Sequence, residues 1–300
     1  ASLLRSIGNS VTPLVFLGIS AGLNIFLDLL FVLTFQWGVA GAAIATVISQ
    51  IVSGCGIMVY TLISYPKFRI HKNEKISEPG LLKEIAHFSF MTCIQQSIMN
   101  FGILMVQGLI NSFGVIVMAA FAAAVKIDSF AYMPLQDFGN AFSIFIAQNY
   151  GAKQLKRIKQ GIRSAFIITV LFSISVSTVV CIFAKQLLLI FVQPQETDVL
   201  SIGIQYLWIE GACYFGIGFL FLFYGLYRAL RRPGMSVVLT IISLGTRVTL
   251  AYILSAIPQI GIVGIWVSVP IGWFLADLVG TFYYHKLKAK HQELQSVLIS

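Results

Sequence analysis

Apolar residues run along this chain in eight stretches of helix length, separated by short segments rich in Gly, Pro, Ser and charge. The pattern predicts helices at about 13–35, 38–63, 84–111, 115–149, 162–192, 202–227, 235–257 and 261–284. A helix crosses a bilayer with about 20 mostly apolar residues, so each stretch is long enough to span. The third to fifth exceed the bilayer thickness and are expected to tilt or to extend into water. Alternating ten-residue segments, the mark of a membrane barrel, are absent. The predicted fold class is an all-α polytopic membrane protein.

Composition agrees with that solvent. The chain is 58% hydrophobic and 10% charged, with a mean hydropathy of +0.88, whereas soluble domains carry about 25% charged residues. Cys55, Cys93, Cys181 and Cys213 all fall inside spans, with no CxxC and no Cys/His cluster, and read as small apolar residues. Residues 1–10 have no Met start and no signal-peptide pattern. They read as the end of a preceding helix and its loop, so helices are expected upstream.

The net charge of +9 would suit an anionic partner such as nucleic acid, but its placement gives a different reading. Basic residues occupy alternate connections: Arg5; Lys67, Arg69, Lys72, Lys75 and Lys83; Lys153, Lys156, Arg157, Lys159 and Arg163; Arg228, Arg231 and Arg232; Lys286, Lys288 and Lys290. The opposite loops hold only Lys185, and Lys126 and Arg247 lie inside spans. This is the positive-inside pattern. It predicts a multi-pass protein of the plasma (inner) membrane with both chain ends cytoplasmic, and it needs no nucleic acid.

The first and last helix pairs repeat. Leu3-Leu4-Arg5, Ser20-x-Gly22, Leu27 and Gly38-Val39-Ala40-Gly41 return as Leu226-Tyr227-Arg228, Ser243-x-Gly245, Leu250 and Gly261-Ile262-Val263-Gly264, at a constant offset of 223 without gaps. The hairpins start an even number of spans apart, which implies a parallel repeat about an axis along the membrane normal, a common secondary-transporter plan. The shared glycines suit close helix packing after a tight loop. Asn24, Asp28 and Thr46, by contrast, align with Arg247, Ala251 and Val269, so the hairpin does not require these polar residues.

Asp28 lies inside the first span, where a carboxylate costs roughly 2.5–3.5 kcal/mol on insertion scales. Asn24 is one turn back on the same face, about 6 Å along the axis. Asp28 and Thr46 lie nine residues to either side of Trp37. In an antiparallel hairpin they share a depth of about 13 Å from the outer end. A carboxylate, an amide and a hydroxyl at one level form an oxygen-rich site for Na⁺ or a proton. The same three residues can equally bond the two helices together, and spacing alone does not separate the two roles.

The chain resembles the multidrug and toxic compound extrusion (MATE) family over nearly all of its length. The resemblance rests on Arg5-Ser6-Ile7-Gly8-Asn9-Ser10; Asn24-Ile25-Phe26-Leu27-Asp28; residues 38–46; Gln107-x-x-Ile110-Asn111-Ser112-Phe113-Gly114; Ala147-Gln148-Asn149-Tyr150-Gly151-Ala152; and Gly261-Ile262-Val263-Gly264-Ile265-Trp266, in that order. It implies a twelve-helix, two-lobe, pseudo-symmetric antiporter of which this chain holds helices five to twelve. On that scheme 1–65 are the last two helices of the N-lobe, 66–83 a cytoplasmic inter-lobe loop, 84–290 a six-helix C-lobe and 291–300 a cytoplasmic tail. The implied function is secondary active efflux of organic cations or amphipathic drugs and metabolites in exchange for Na⁺ or H⁺. The protein would act as a monomer in the bilayer, with no cofactor. Asn24, Asp28 and Thr46 match three cation-site positions of some members. An essential Glu on helix seven of other members has no counterpart in Cys93–Asn100, which shifts weight to Asp28.

Gln96, Asn100, Gln107, Gln136, Asp137 and Glu210 are candidate cavity residues. Pro134 is expected to free a backbone carbonyl near Gln136 and Asp137. Lys126 and Asp128 are two apart, so each needs another partner, and Arg247 with Asp277 is a candidate structural pair. Phe101, Met105, Met133, Phe142, Tyr214 and Phe215 suit either an apolar cavity or plain helix packing. A lipid or lipid-linked sugar flippase of the same broad fold is the alternative function; only Lys126 and Arg247 would offer it intramembrane cations. A membrane enzyme is the least favoured function, because His71, His87, His285 and His291 are scattered and have no nucleophile–base spacing.

Overall fold

The structure is a computed structural model describing residues 1–68 and 79–299, with side chains to residue 287 and at residue 289. The middle of the expected 66–83 loop, with Arg69, His71, Lys72 and Lys75, lies outside the described residues, as do the side chains of the 291–300 tail. Among the described residues ten α-helices follow one another: α1 (Ser2–Ser6), α2 (Val11–Asp28), α3 (Gly38–Ser64), α4 (Pro79–Asn111), α5 (Val115–Gly151), α6 (Leu155–Leu188), α7 (Thr197–Gly211), α8 (Tyr214–Ala229), α9 (Pro233–Ser255) and α10 (Ile262–Ile299). No strand occurs among the described residues. The described residues hold seven membrane-length apolar segments, and α7 with α8 makes an eighth, bent by 51°. Together they make a multi-pass membrane protein.

Two departures from the predicted spans matter. Helix α2 does not run on to residue 35 as an α-helix; after Asp28 the chain widens into a π-helical turn, Leu29–Thr34, with Phe35 N–H bonded to Leu30 O at 3.0 Å. The expected 202–227 span is broken at Ala212–Cys213, between α7 and α8. Helix α5, in contrast, continues through Pro134.

The chain divides into two compact units, 1–79 and 80–300. In the first, α2 and α3 form a hairpin stitched by hydroxyls. Ser20 Oγ donates to Ser49 O at 3.0 Å and Ser53 Oγ to Phe16 O at 3.1 Å. Gly56 leaves the space that the Phe16 ring occupies.

In the second unit α8 is the central, almost wholly buried helix. Helix α5 packs on it through glycines: a Cβ on Gly225 would stand 2.5 Å from Gly139 O, and one on Gly139 2.9 Å from Phe221 O. Close backbone approach of this kind is how helices associate where lipid removes the hydrophobic drive between them. Helix α6 meets α8 at Gly218, and α10 meets it at Gly280, whose carbonyl accepts from the Tyr227 hydroxyl.

The repeat seen in sequence reappears as geometry within each unit. Gly38 and Gly261 both have positive φ, +55° and +52°, a conformation that costs a side chain about 1–2 kcal/mol. A Cβ on Gly41 would meet Phe31 and Trp37, and one on Gly264 would meet Leu254 and Ile260, the aligned residues. The ends of α1 and α8 also match. Asn9 N–H bonds Leu4 O at 2.9 Å and Arg232 N–H bonds Tyr227 O at 2.8 Å. The preceding residues, Gly8 and Arg231, are both left-handed, as a helix C-cap of this type requires.

Candidate functional site

The bend between α7 and α8 opens a cavity of about 270 Å³ inside the second unit. Its walls are mostly apolar and aromatic, and they carry four polar side chains of interest: Asp128 from α5, Tyr206 and Glu210 from α7, and Arg247 from α9. Tyr206 and Glu210 are one helical turn apart and share a face. Both are nearly sealed from solvent, at 2% and 3% exposure.

The acids are joined by tyrosines. The Tyr206 hydroxyl lies 2.7 Å from Asp128 Oδ2 and 2.9 Å from Glu210 Oε2. The Tyr214 hydroxyl, at the start of α8, donates to Asp128 Oδ1. A phenol has a single hydrogen and can donate to only one acid at a time. The second short O···O contact therefore needs a hydrogen from the other carboxyl group. Asp128, Tyr206 and Glu210 together make a hydrogen-bonded cluster, placed where α7 and α8 break. Broken helices at such depth frame ligand and ion sites in transporters.

The cavity takes Glu210 from the residues singled out in the sequence. Met99 and Ile103 are the α4 residues in its wall, while Gln96 and Asn100 are exposed within this unit. Gln107 donates to Asn111 Oδ1 at 3.0 Å, and Asp137 is exposed. Gln136 bonds the hydroxyl of Tyr132, a cavity residue, at 3.3 Å. Of the candidate apolar residues, Tyr214 lines the cavity, whereas Phe142 is packed in the core. Lys126 and Asp128 do find separate partners: Lys126 Nζ sits 5.3 Å from the centre of the Phe191 ring. Arg247 and Asp277 do not pair. Arg247 faces the cavity, and both Asp277 oxygens are buried without a partner. Sequence reasoning missed Asp128 and Tyr206 as site residues. The i, i+4 spacing of Tyr206 and Glu210 was the available signal.

In the first unit, Asn24 Nδ2 donates to Thr46 Oγ1 at 3.4 Å, and Thr46 Oγ1 donates to Ala42 O at 3.0 Å. These two line a polar groove with Ser20, Ser49 and Gln50. Asp28 lines a neighbouring, apolar groove with Ile25, Leu29, Val32 and Leu33, and its buried Oδ1 has no hydrogen-bond partner. Asn24 and Thr46 thus meet, whereas Asp28, the residue expected level with Thr46, lines a separate groove. Asp28 sits at the last α-helical position before the π-turn, an irregularity frequent at functional sites.

The MatE family model matches residues 88–253, more than half of the chain. The chain belongs to the MatE family. It is 27% identical over 290 residues to a probable multidrug resistance protein, NorM, of Thermotoga maritima, covering 93% of this chain and 60% of that protein. It is 25% identical over 278 residues to a FAD transporter of Shewanella oneidensis, covering 89% and 60%. Among solved structures it resembles a multidrug resistance MATE family transporter in an outward-facing conformation, with a TM-score of 0.88 and 22% identity over 97% of this chain and 65% of that one. The chain thus spans less than two thirds of the length of these MatE relatives.

Proposed function

We propose that this MatE chain provides the proton-linked part of a secondary active antiporter that exports organic cations and amphipathic small molecules in exchange for H⁺. The observation that carries this reading is the Tyr206 hydroxyl within hydrogen-bond distance of both Asp128 and Glu210 at the wall of an aromatic cavity. With one proton the two acids hold one negative charge, which attracts a cationic substrate against the opposing field of Arg247 on the same cavity. A second proton removes that charge and releases the cation. Competition of this kind links inward proton flow to outward export. The relatives' names, a multidrug resistance protein and a FAD transporter, support a small-molecule cargo.

Asn24, Asp28 and Thr46 support a second coupling site, for Na⁺ or H⁺, because Asp28 holds a buried carboxylate oxygen with no protein partner. The test uses the full-length protein in proteoliposomes with a cationic dye. A proton gradient is expected to drive export in the wild type and to fail in Glu210→Gln. Gradient-driven export at the wild-type rate in both Glu210→Gln and Asp128→Asn would sink the proposal. Loss of Na⁺ dependence in Asp28→Asn alone would assign Na⁺ to the other unit.

A further inference from the structure

Arg247 lines the cavity from the middle of α9, with Ser243 one turn before it on the same face. Its stem is held by packing: a Cβ on Gly272 would lie 3.5 Å from Arg247 Cβ, so α10 runs against it. The buried Nε has no hydrogen-bond partner, and the one ion pair among the described residues is Arg231–Glu84, at 3.4 Å.

Three acids are candidates to neutralise it, and none bonds it. Asp128 and Glu210 share the cavity but direct their described hydrogen bonds to tyrosines. Asp277 keeps both oxygens buried and unpartnered. The repeat sharpens the point. Asn24, the counterpart of Arg247, bonds Thr46, but the counterpart of Thr46 is Val269, which has no polar side-chain atom. The arginine stands where the first hairpin has a bonded amide, and it makes no hydrogen bond to the acids that share its cavity. A guanidinium offers a planar fork of donors that matches carboxylate, sulfonate or phosphate oxygens. Around it Phe121, Tyr132, Phe221 and Trp273 provide flat apolar surface.

We infer that Arg247 is the receptor for an anionic group carried on an aromatic amphiphile, so that the cavity takes acid-bearing substrates as well as organic cations. This deepens the proposed transport function and rests on it for export, but not for binding. The cavity, about 270 Å³, is near the small end of ligand sites and suits a two-ring aromatic.

The experiment measures binding and export of two probes of similar shape and opposite charge, 2-naphthalenesulfonate and N-methylquinolinium, with the full-length protein. Arg247→Met is expected to weaken the sulfonate by roughly 10- to 100-fold, the loss of a charge-assisted hydrogen bond. Quinolinium binding should change less than about threefold. Arg247→Lys should keep sulfonate binding within about tenfold of the wild type, because charge survives while the fork is lost. This variant also guards against a folding defect in Arg247→Met. Equal weakening of both probes, or no sulfonate binding to the wild type, overturns the inference. So does Arg247-dependent flipping of a phospholipid head group without affinity for the sulfonate. Sulfonate binding that depends on Arg247 but leads to no export of either probe upholds the inference and removes the transport reading.

Discussion

A single hydroxyl decides the chemistry at the residue scale. Tyr206 stands within hydrogen-bond distance of two buried acids, Asp128 and Glu210, in a lipid-embedded bundle. Tyr206→Phe keeps the ring, with its edge-to-face contacts to Phe121 and Trp266, and removes only the bridge. We expect about 1–3 kcal/mol of lost stability, the usual result of leaving a buried polar group unsatisfied, together with loss of proton-driven export. An unchanged melting temperature with intact coupling would mean that the acids do not depend on the tyrosine. Asp277 provides the converse case. Its residue is only 8% exposed and its oxygens have no partner, so Asp277→Asn removes no hydrogen bond. The melting temperature should stay within about 3 °C of wild type or rise; a larger fall would reveal a partner. Glu210 was legible in the sequence as an acid in a span. Its partnership with Asp128 was not, because it joins side chains 82 positions apart and needs the packing of α5 on α7.

Glycine spacing sets the contacts at the element scale. The hairpins α2–α3 and α9–α10 use one plan: left-handed glycines open the second helices, and small residues let the backbones approach. At aligned depth the plan is filled differently. Ser20 bonds Ser49 O in one hairpin, while in the other Gly272 lies against Ser243 O, so close that a Cβ would collide. Gly272→Val is therefore expected to force α10 from α9, costing about 1–3 kcal/mol as overpacking does, and to weaken substrate binding through Trp273 and Arg247. Gly245→Val, on the same helix pair, meets nothing within 4 Å and should be tolerated. Thermal melts of the two variants side by side check this, and equal losses would show helix propensity at work instead of packing. The repeat was readable because glycines at turns and contacts leave fixed letters at fixed spacing. The break at Ala212–Cys213 was not, since Glu210-Gly211 is a weak stop signal in a run without proline. The π-turn after Asp28 was hidden because its apolar run carries no stop signal.

Charge placement governs the whole molecule. The basic residues at the ends of α1, α6, α8 and α10 occur after every second membrane crossing in chain order, whereas the connections at 112–114 and 256–261 contain no lysine or arginine. The spans were legible for that reason together with their length: both signals are written along the chain and need no tertiary contact. The same asymmetry predicts the orientation, with the positively charged loops on the cytoplasmic side. Single cysteines in a background with the four native cysteines replaced can read it. Lys156→Cys and Arg232→Cys, both exposed, should react with an impermeant maleimide only after cells are permeabilised. Gln195→Cys, exposed on the connection between α6 and α7, should react in intact cells. The reverse pattern would invert the protein in the membrane, and an antiporter reading would then need protons to enter the cavity from the other face.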